Sequence, residues 1–134
     1  MDMKNTLAAI ALLLGSASFT HAAQTIVSPA LPTPSDTAGA CYLRNVGTTP
    51  ISVKVSVLAN FSPGFITPDF QNCNDAPLAP GKTCRLLVND LPDDVTFECT
   101  AQVSGNAKNI RGSAELRLVA ATGEVTVIAA QDMR

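Results

Sequence analysis

Strict alternation of apolar and polar side chains is the clearest pattern in the chain. From Ile51 to Val57, isoleucine and valine occupy every second position and alternate with serine and lysine. A period of two places all the apolar side chains on one face of a β-strand, whereas a helix would spread them around its axis. This segment therefore predicts a strand with one face in the core and the other in water.

Weaker alternation predicts further strands along the chain, separated by segments rich in proline, glycine and asparagine. No segment has the period of an amphipathic helix, and no internal repeat is present. Seven or eight short strands in one chain of 134 residues predict a single all-β domain, an antiparallel β-sandwich. The other predicted strands are Gln24–Ser28, Ala40–Asn45, Phe65–Thr67, Cys84–Val88, Phe97–Val103, Ala114–Leu118 and Val125–Ala129.

The connections between these strands carry turn signals. Leu91–Asp94 predicts a turn that joins the strands on either side of it into a hairpin with a cysteine at each end, and Pro80-Gly81 suits the centre of a type II turn. Thr122-Gly123 predicts a two-residue hairpin turn. The tail Gln131–Arg134 is expected to fray.

The amino-terminal residues have the layout of a secretory signal peptide. Lys4 precedes an apolar run, Leu7–Leu14, which is too short to span a bilayer, and small residues follow up to Ala23. We therefore expect a signal peptide over 1–23, an arm with a strand and three prolines over 24–39, and the sandwich domain over 40–134. Export predicts a periplasmic or secreted protein.

Four cysteines follow the predicted cleavage point, in a compartment that permits disulfides. Four cysteines allow three pairings, and sequence alone does not fix the choice. Cys73 and Cys84 flank a segment with two prolines and a glycine, which can fold back on itself. Cys41 and Cys99 each lie on the apolar face of a strand, as a bridge between two sheets requires. We therefore favour Cys41–Cys99 and Cys73–Cys84.

Two stretches resemble known modules. Leu86–Cys99 resembles the immunoglobulin pattern around the second conserved cysteine, with Cys41 in the place of the first, although Phe97 stands where that family has tyrosine and no tryptophan is present. Asn45–Val53 and Leu78–Val88 are similar to the hydin-like immunoglobulin modules of bacterial exported proteins, in their Asn-x-Gly-x-x-Pro and Leu-x-Pro-Gly-x-x-Cys patterns. The resemblance implies an immunoglobulin-like sandwich and supplies no catalytic residues.

Few residues could take part in catalysis or metal binding. The single histidine, His21, belongs to the predicted signal peptide, so no imidazole is left for a catalytic triad or a histidine-based zinc site, and no Cys-x-x-Cys is present. Asp90, Asp93 and Asp94 lack the spacing of a calcium loop and are interpreted as turn residues. We expect no catalytic residues, no metal and no cofactor.

Three phenylalanines in the irregular segment suggest either a contact patch or side chains that close one end of the sandwich; they are Phe61, Phe65 and Phe70. A polar group beside Cys73 is interpreted as a solvated loop rather than a cation site; it comprises Asp69, Asn72, Asn74 and Asp75. The loops 60–82 and 104–112 are the expected contact surfaces.

Charge points to no nucleic acid and no membrane surface, because basic and acidic residues are interspersed along the sequence. We expect an exported, non-catalytic binding or structural module of the cell envelope, whose partner would be another envelope or secreted protein. A fimbrial-like assembly subunit that binds by strand addition through its amino-terminal arm is the alternative, and a small hydrolase based on carboxylates is a third. Sequence leaves the oligomeric state open.

Overall fold

The computed structural model describes residues 22–59 and 65–134, except for the side chains of Ala59 and Phe65. Nearly all of the predicted signal peptide lies outside these residues. In the described part, ten strands and one turn of 3-10 helix (Ala107–Asn109) form the secondary structure. The strands are β1 (Gln24–Val27), β2 (Leu31–Pro32), β3 (Thr37–Asn45), β4 (Val53–Ala59), β5 (Phe65–Ile66), β6 (Phe70–Gln71), β7 (Thr83–Val88), β8 (Thr96–Val103), β9 (Ile110–Val119) and β10 (Val125–Met133).

The strands form two antiparallel sheets. Sheet I has the order β1-β8-β4-β5, with β2 also paired to β8, and sheet II has the order β10-β9-β3-β7-β6. The two inner faces share one hydrophobic core, built from the alternating positions of β3, β4, β7, β8 and β9. The predicted all-β antiparallel sandwich with two disulfides is confirmed.

One contact between the sheets lies at the centre of the core. Cys41 on β3 is bonded to Cys99 on β8, with Cα atoms 5.9 Å apart, so this disulfide joins sheet II to sheet I. Beside it, the fully buried ring of Phe97 lies over Gly39, where a Cβ atom would collide with the ring. The ring thus fills the space that a side chain at residue 39 would need.

The second disulfide restrains the long connection from β6 to β7 within sheet II. Cys73 follows β6 and is bonded to Cys84 at the start of β7, with Cα atoms 5.0 Å apart. Between them, the carbonyl of Ala79 accepts a hydrogen bond from the amide of Lys82, and Gly81 has a φ of 73°. This is the predicted type II turn, and both predicted disulfides are confirmed.

The predicted hairpin between Cys84 and Cys99 is wrong. β7 pairs with β3 and β6 in sheet II, whereas β8 pairs with β1, β2 and β4 in sheet I, so the acidic connection crosses from one sheet to the other. The hydroxyl of Thr33 donates toward the carbonyls of Pro92 and Val95, each at 2.9 Å. The sequence pattern of strand, turn and strand is the same for a hairpin and for a connection between two sheets. The two are distinguished only by the strands with which β7 and β8 pair, and those strands are distant in sequence.

The carboxyl-terminal strands also differ from the prediction. Residues 120–124, rather than two residues, connect β9 to β10, because Val119 pairs with Val125. The tail does not fray: β10 extends to Met133, which is buried, and the backbone of Arg134 exchanges two hydrogen bonds with Val27 of β1. These bonds join an edge of sheet I to an edge of sheet II.

The contact between Gly39 and Phe97 predicts coupled mutations. Gly39→Ala should lower the free energy of unfolding by about 1–3 kcal/mol, because the new methyl group meets the ring. Phe97→Leu leaves part of that space empty, so the double variant should be more stable than the sum of the single effects by about 1 kcal/mol. Urea unfolding of the four proteins measures this, and strictly additive effects would contradict the proposed packing.

Candidate interaction surface

The structure assigns the predicted contact residues to different places. Phe61 lies outside the described residues. Phe65 begins β5 in sheet I and Phe70 begins β6 in sheet II, so the two belong to opposite sheets. The Phe70 side chain does not fold inward: it is 41% exposed, and the guanidinium of Arg85 lies 5.0 Å from the centre of its ring. The guanidinium thus makes a cation–π contact with one face of a ring that remains partly exposed.

The polar group beside Cys73 holds strand edges in place. The side-chain amide of Asn74 accepts from the Val55 amide at 2.9 Å and donates to the Val55 carbonyl at 3.4 Å, as a neighbouring strand would. The side chain of Asn72 accepts from the amide of Arg85 at 2.8 Å. These bonds tie the loop that Cys73 and Cys84 restrain to both sheets.

The acidic residues of the β7–β8 connection are exposed. Asp94 has a φ of 58°, in the left-handed region that aspartate tolerates in turns. Within residues 22–59 and 65–134, no three histidine, cysteine, aspartate or glutamate side chains lie close enough together to hold a metal ion. In the same residues, no helix is long and apolar enough to cross a bilayer.

A polar cluster lies on the outer face of sheet II. Arg117 of β9 forms an ion pair with Glu115 at 2.7 Å, donates a hydrogen bond to the hydroxyl of Tyr42 and lies 5.2 Å from the centre of the tyrosine ring. Burial alone would lower the pKa of the Arg117 guanidinium, but the hydrogen bonds and charges of Glu115 and Tyr42 together raise that pKa above its usual value. The guanidinium is therefore fixed in one orientation and permanently charged.

The β9–β10 hairpin carries the main exposed apolar surface among the described residues. On its outer face Val119, Val125 and Val127 are each 51% exposed, Leu118 on its inner face is 40% exposed, and Ile128, at the bulge between Val127 and Ala129, is 38% exposed. We name these five residues the aliphatic hairpin. Both faces of the hairpin are open here, so its tip extends past the core. Contiguous apolar side chains of this kind mark contact sites in soluble proteins.

Sequence reasoning missed the aliphatic hairpin, although a signal was present. Leu118-Val119 and Val127-Ile128 are adjacent apolar pairs within strands, and adjacent residues of a strand point to opposite faces. Regular alternation therefore predicts that one member of each pair faces away from the core, although in the structure Ile128 lies at a bulge. The alternation that predicts β9 ends at Leu118, so it does not include the outward-facing valine that follows.

No protein-family model, no curated protein and no solved structure matches the chain. The function of this surface is therefore inferred from the exposure and the contacts of its side chains.

The pairing of Asn74 with Val55 leads to a stability prediction. Asn74→Ala removes both hydrogen bonds to the edge of β4 and should lower the free energy of unfolding by about 1–2 kcal/mol. Asp75→Ala, at the exposed neighbouring position, is the matched control and should change it by less than about 0.5 kcal/mol. Chemical unfolding with both disulfides intact compares them, and equal effects of the two changes would contradict this role of Asn74.

Proposed function

We propose that the protein is an exported, non-catalytic immunoglobulin-like module that binds another protein of the cell envelope through the outer face of sheet II. The observation that carries this proposal is the aliphatic hairpin, which lies in the same sheet as the Tyr42–Arg117 cluster and Phe70. Exposed apolar and aromatic side chains interleaved with arginine are typical of protein contact surfaces.

The strand order supports the immunoglobulin-like assignment. Immunoglobulin constant-type domains have sheets A-B-E-D and C-F-G, with a disulfide from B to F. With β3 as B and β8 as F, the order β3-β7-β6 corresponds to B-E-D and the order β8-β4 to F-C. The outer strands are exchanged, because β1 lies beside β8 where G would lie and β9 lies beside β3 where A would lie.

Export is supported by the two disulfides and by the predicted signal peptide over 1–23. Both disulfides are enclosed in the folded domain, since Cys41, Cys73, Cys84 and Cys99 are all buried. Structural disulfides form and persist in oxidising compartments such as the periplasm and the extracellular medium.

Site-specific photo-crosslinking in the native cell envelope tests this proposal. A photoreactive residue in place of Val127 should give a discrete crosslinked product, because this side chain lies on the proposed contact face. The same residue in place of Lys54, which is exposed on the outer face of sheet I, is the matched control and should give no discrete product. Thermal unfolding of both variants checks that the domain is intact. Equal products from both positions, or none from position 127, would contradict the proposal.

A fimbrial-like assembly subunit remains the second candidate, and one observation favours it. The amino-terminal arm is a strand donor within its own chain: β1 and β2 both pair with β8, and Ile26 and Leu31 are buried in the core. The same pairing between two chains would be a strand exchange, which is a simple route to assembly.

Strand exchange predicts that an amino-terminal arm supplied as a separate molecule binds to the folded protein. A labelled peptide of residues 24–36 should bind the folded protein, because it can replace β1 and β2 beside β8. The same peptide with Ile26→Ser and Leu31→Ser is the control, since it loses the two side chains that fill the core. Fluorescence anisotropy measures uptake, and equal uptake of the two peptides, or none, would argue against exchange through this arm.

A further inference from the structure

Basic side chains that are dispersed in the sequence gather at one end of the sandwich. Arg44 of β3 and Arg111 of β9 are directly paired on the outer face of sheet II. Arg111 also shares a surface depression with Arg134, and its guanidinium donates to the carbonyl of Lys108 at 3.1 Å. The carbonyl of Lys82 accepts from the amide at the end of β3. We name the basic end by its five exposed residues, Arg44, Lys82, Lys108, Arg111 and Arg134.

In the described part of the chain, the pairing of these basic residues brings no evident gain in stability. Like charges directly opposite each other on neighbouring strands are destabilising. Charged residues often protect sheet edges, but β3 and β9 are interior strands of sheet II. Asp132 is the carboxylate that lines the depressions beside Arg111, and the ion pair found in the described residues is Arg117 with Glu115, elsewhere on the face. The five basic side chains outnumber the carboxylate of Asp132, so the basic end carries a net positive charge.

The opposite end of the sandwich carries the complementary charge. The side chain of Asp69 accepts from the amide of Asn89 at 2.7 Å, and the amide of Leu91 donates to the carbonyl of Thr37 at 3.0 Å. These bonds bring the start of β3, the start of β6 and the β7–β8 connection together. We name the acidic end by its five exposed residues, Asp36, Asp69, Asp90, Asp93 and Asp94.

The two ends are too far apart to neutralise each other within one molecule. The nine residues of β3 separate them, and the eight steps from its first to its last residue span about 26 Å at 3.3 Å per step. The Debye length is about 8 Å at physiological ionic strength. Each end therefore presents an electrostatic field of one sign to the solvent. A second copy of the chain carries the complementary charge at its opposite end.

We propose that copies of this protein associate head to tail, with the basic end of one copy against the acidic end of the next. This contact joins different surfaces of the two copies, so it extends into a chain or closes into a ring. This contact rests on the proposed role as a structural module, and its energy comes from the charged side chains of the two ends rather than from the exposed aliphatic side chains.

Self-association at low salt is the first expected result. The domain from residue 24 onward, with both disulfides formed, should associate with rising concentration at about 20 mM salt and dissociate at about 500 mM, where charges are screened within a few ångströms. Sedimentation velocity measures this. A protein that stays monomeric at low salt overturns the proposal, as does association that is unchanged at high salt.

Charge reversal at each end tests the direction of the contact. Arg44→Glu with Arg111→Glu, and separately Asp90→Lys with Asp93→Lys, should each weaken self-association at least about tenfold, because each variant keeps only one strongly charged end. An equimolar mixture of the two variants should restore association as pairs, since the unchanged acidic end of the first variant can contact the unchanged basic end of the second. A mixture that stays dissociated overturns the proposal. Asp94 is left unchanged because of its left-handed backbone.

Two further measurements distinguish this contact from a general effect of surface charge and from the binding of a polyanion. Lys54→Glu reverses an exposed charge on sheet I and should leave association within about twofold of the original, since single surface charges contribute little. If the original protein binds polyphosphate through the basic end yet remains monomeric, the partner is a polyanion and the head-to-tail proposal is wrong. The aliphatic hairpin lies at the acidic end, because Leu118 pairs with Thr37 beside Asp36, so the crosslink at Val127 is repeated in the Arg44→Glu, Arg111→Glu variant. A product that persists in this variant comes from the proposed envelope partner and a product that is lost comes from the head-to-tail contact, so the failures of the two proposals are distinguishable.

Discussion

The contact between the sheets at Gly39, Phe97 and the Cys41–Cys99 disulfide is the constraint on which the rest of the structure depends. The ring of Phe97 occupies the space above Gly39, and the disulfide beside it closes a loop of 58 residues. In the chain-entropy model such a loop stabilises the folded state by about 4 kcal/mol, a large share of the roughly 5–15 kcal/mol of a typical domain. With this spacing fixed, the alternating positions of both sheets become the core.

The edges of the two sheets show which surfaces remain available for binding. The side chain of Asn74 covers part of the β4 edge, and the bonds between Arg134 and Val27 join β10 to β1 at one side. These closures remove hydrogen-bonding groups that could otherwise pair with another chain. The outer half of the β9–β10 hairpin lies beyond them, which is why its exposed valines are the best candidate for a contact with a partner.

The local sequence pattern predicted most strands, because the alternation that marks a strand involves side chains only two residues apart. The alternation in Ile51–Val57 and Ala40–Asn45 identifies which face is buried, and this in turn favoured the correct cysteine pairs. It did not reveal β2 and β6, of two residues each, because pairing with β8 and β7 defines them. For the same reason, the segment from Cys84 to Cys99 was predicted to be a hairpin although its strands belong to different sheets.

The sequence by itself determined an all-β disulfide-bonded domain, because strand periodicity and cysteines on apolar faces are local properties. Only the tertiary structure decided where the charges lie. Arg44, Arg111 and Arg134 are far apart along the chain, and strand reversal brings them to one end while the turns that carry aspartate meet at the other. Likewise, adjacent valines and leucines become an exposed patch only where a hairpin extends past the core, since exposure is set by which elements cover a strand.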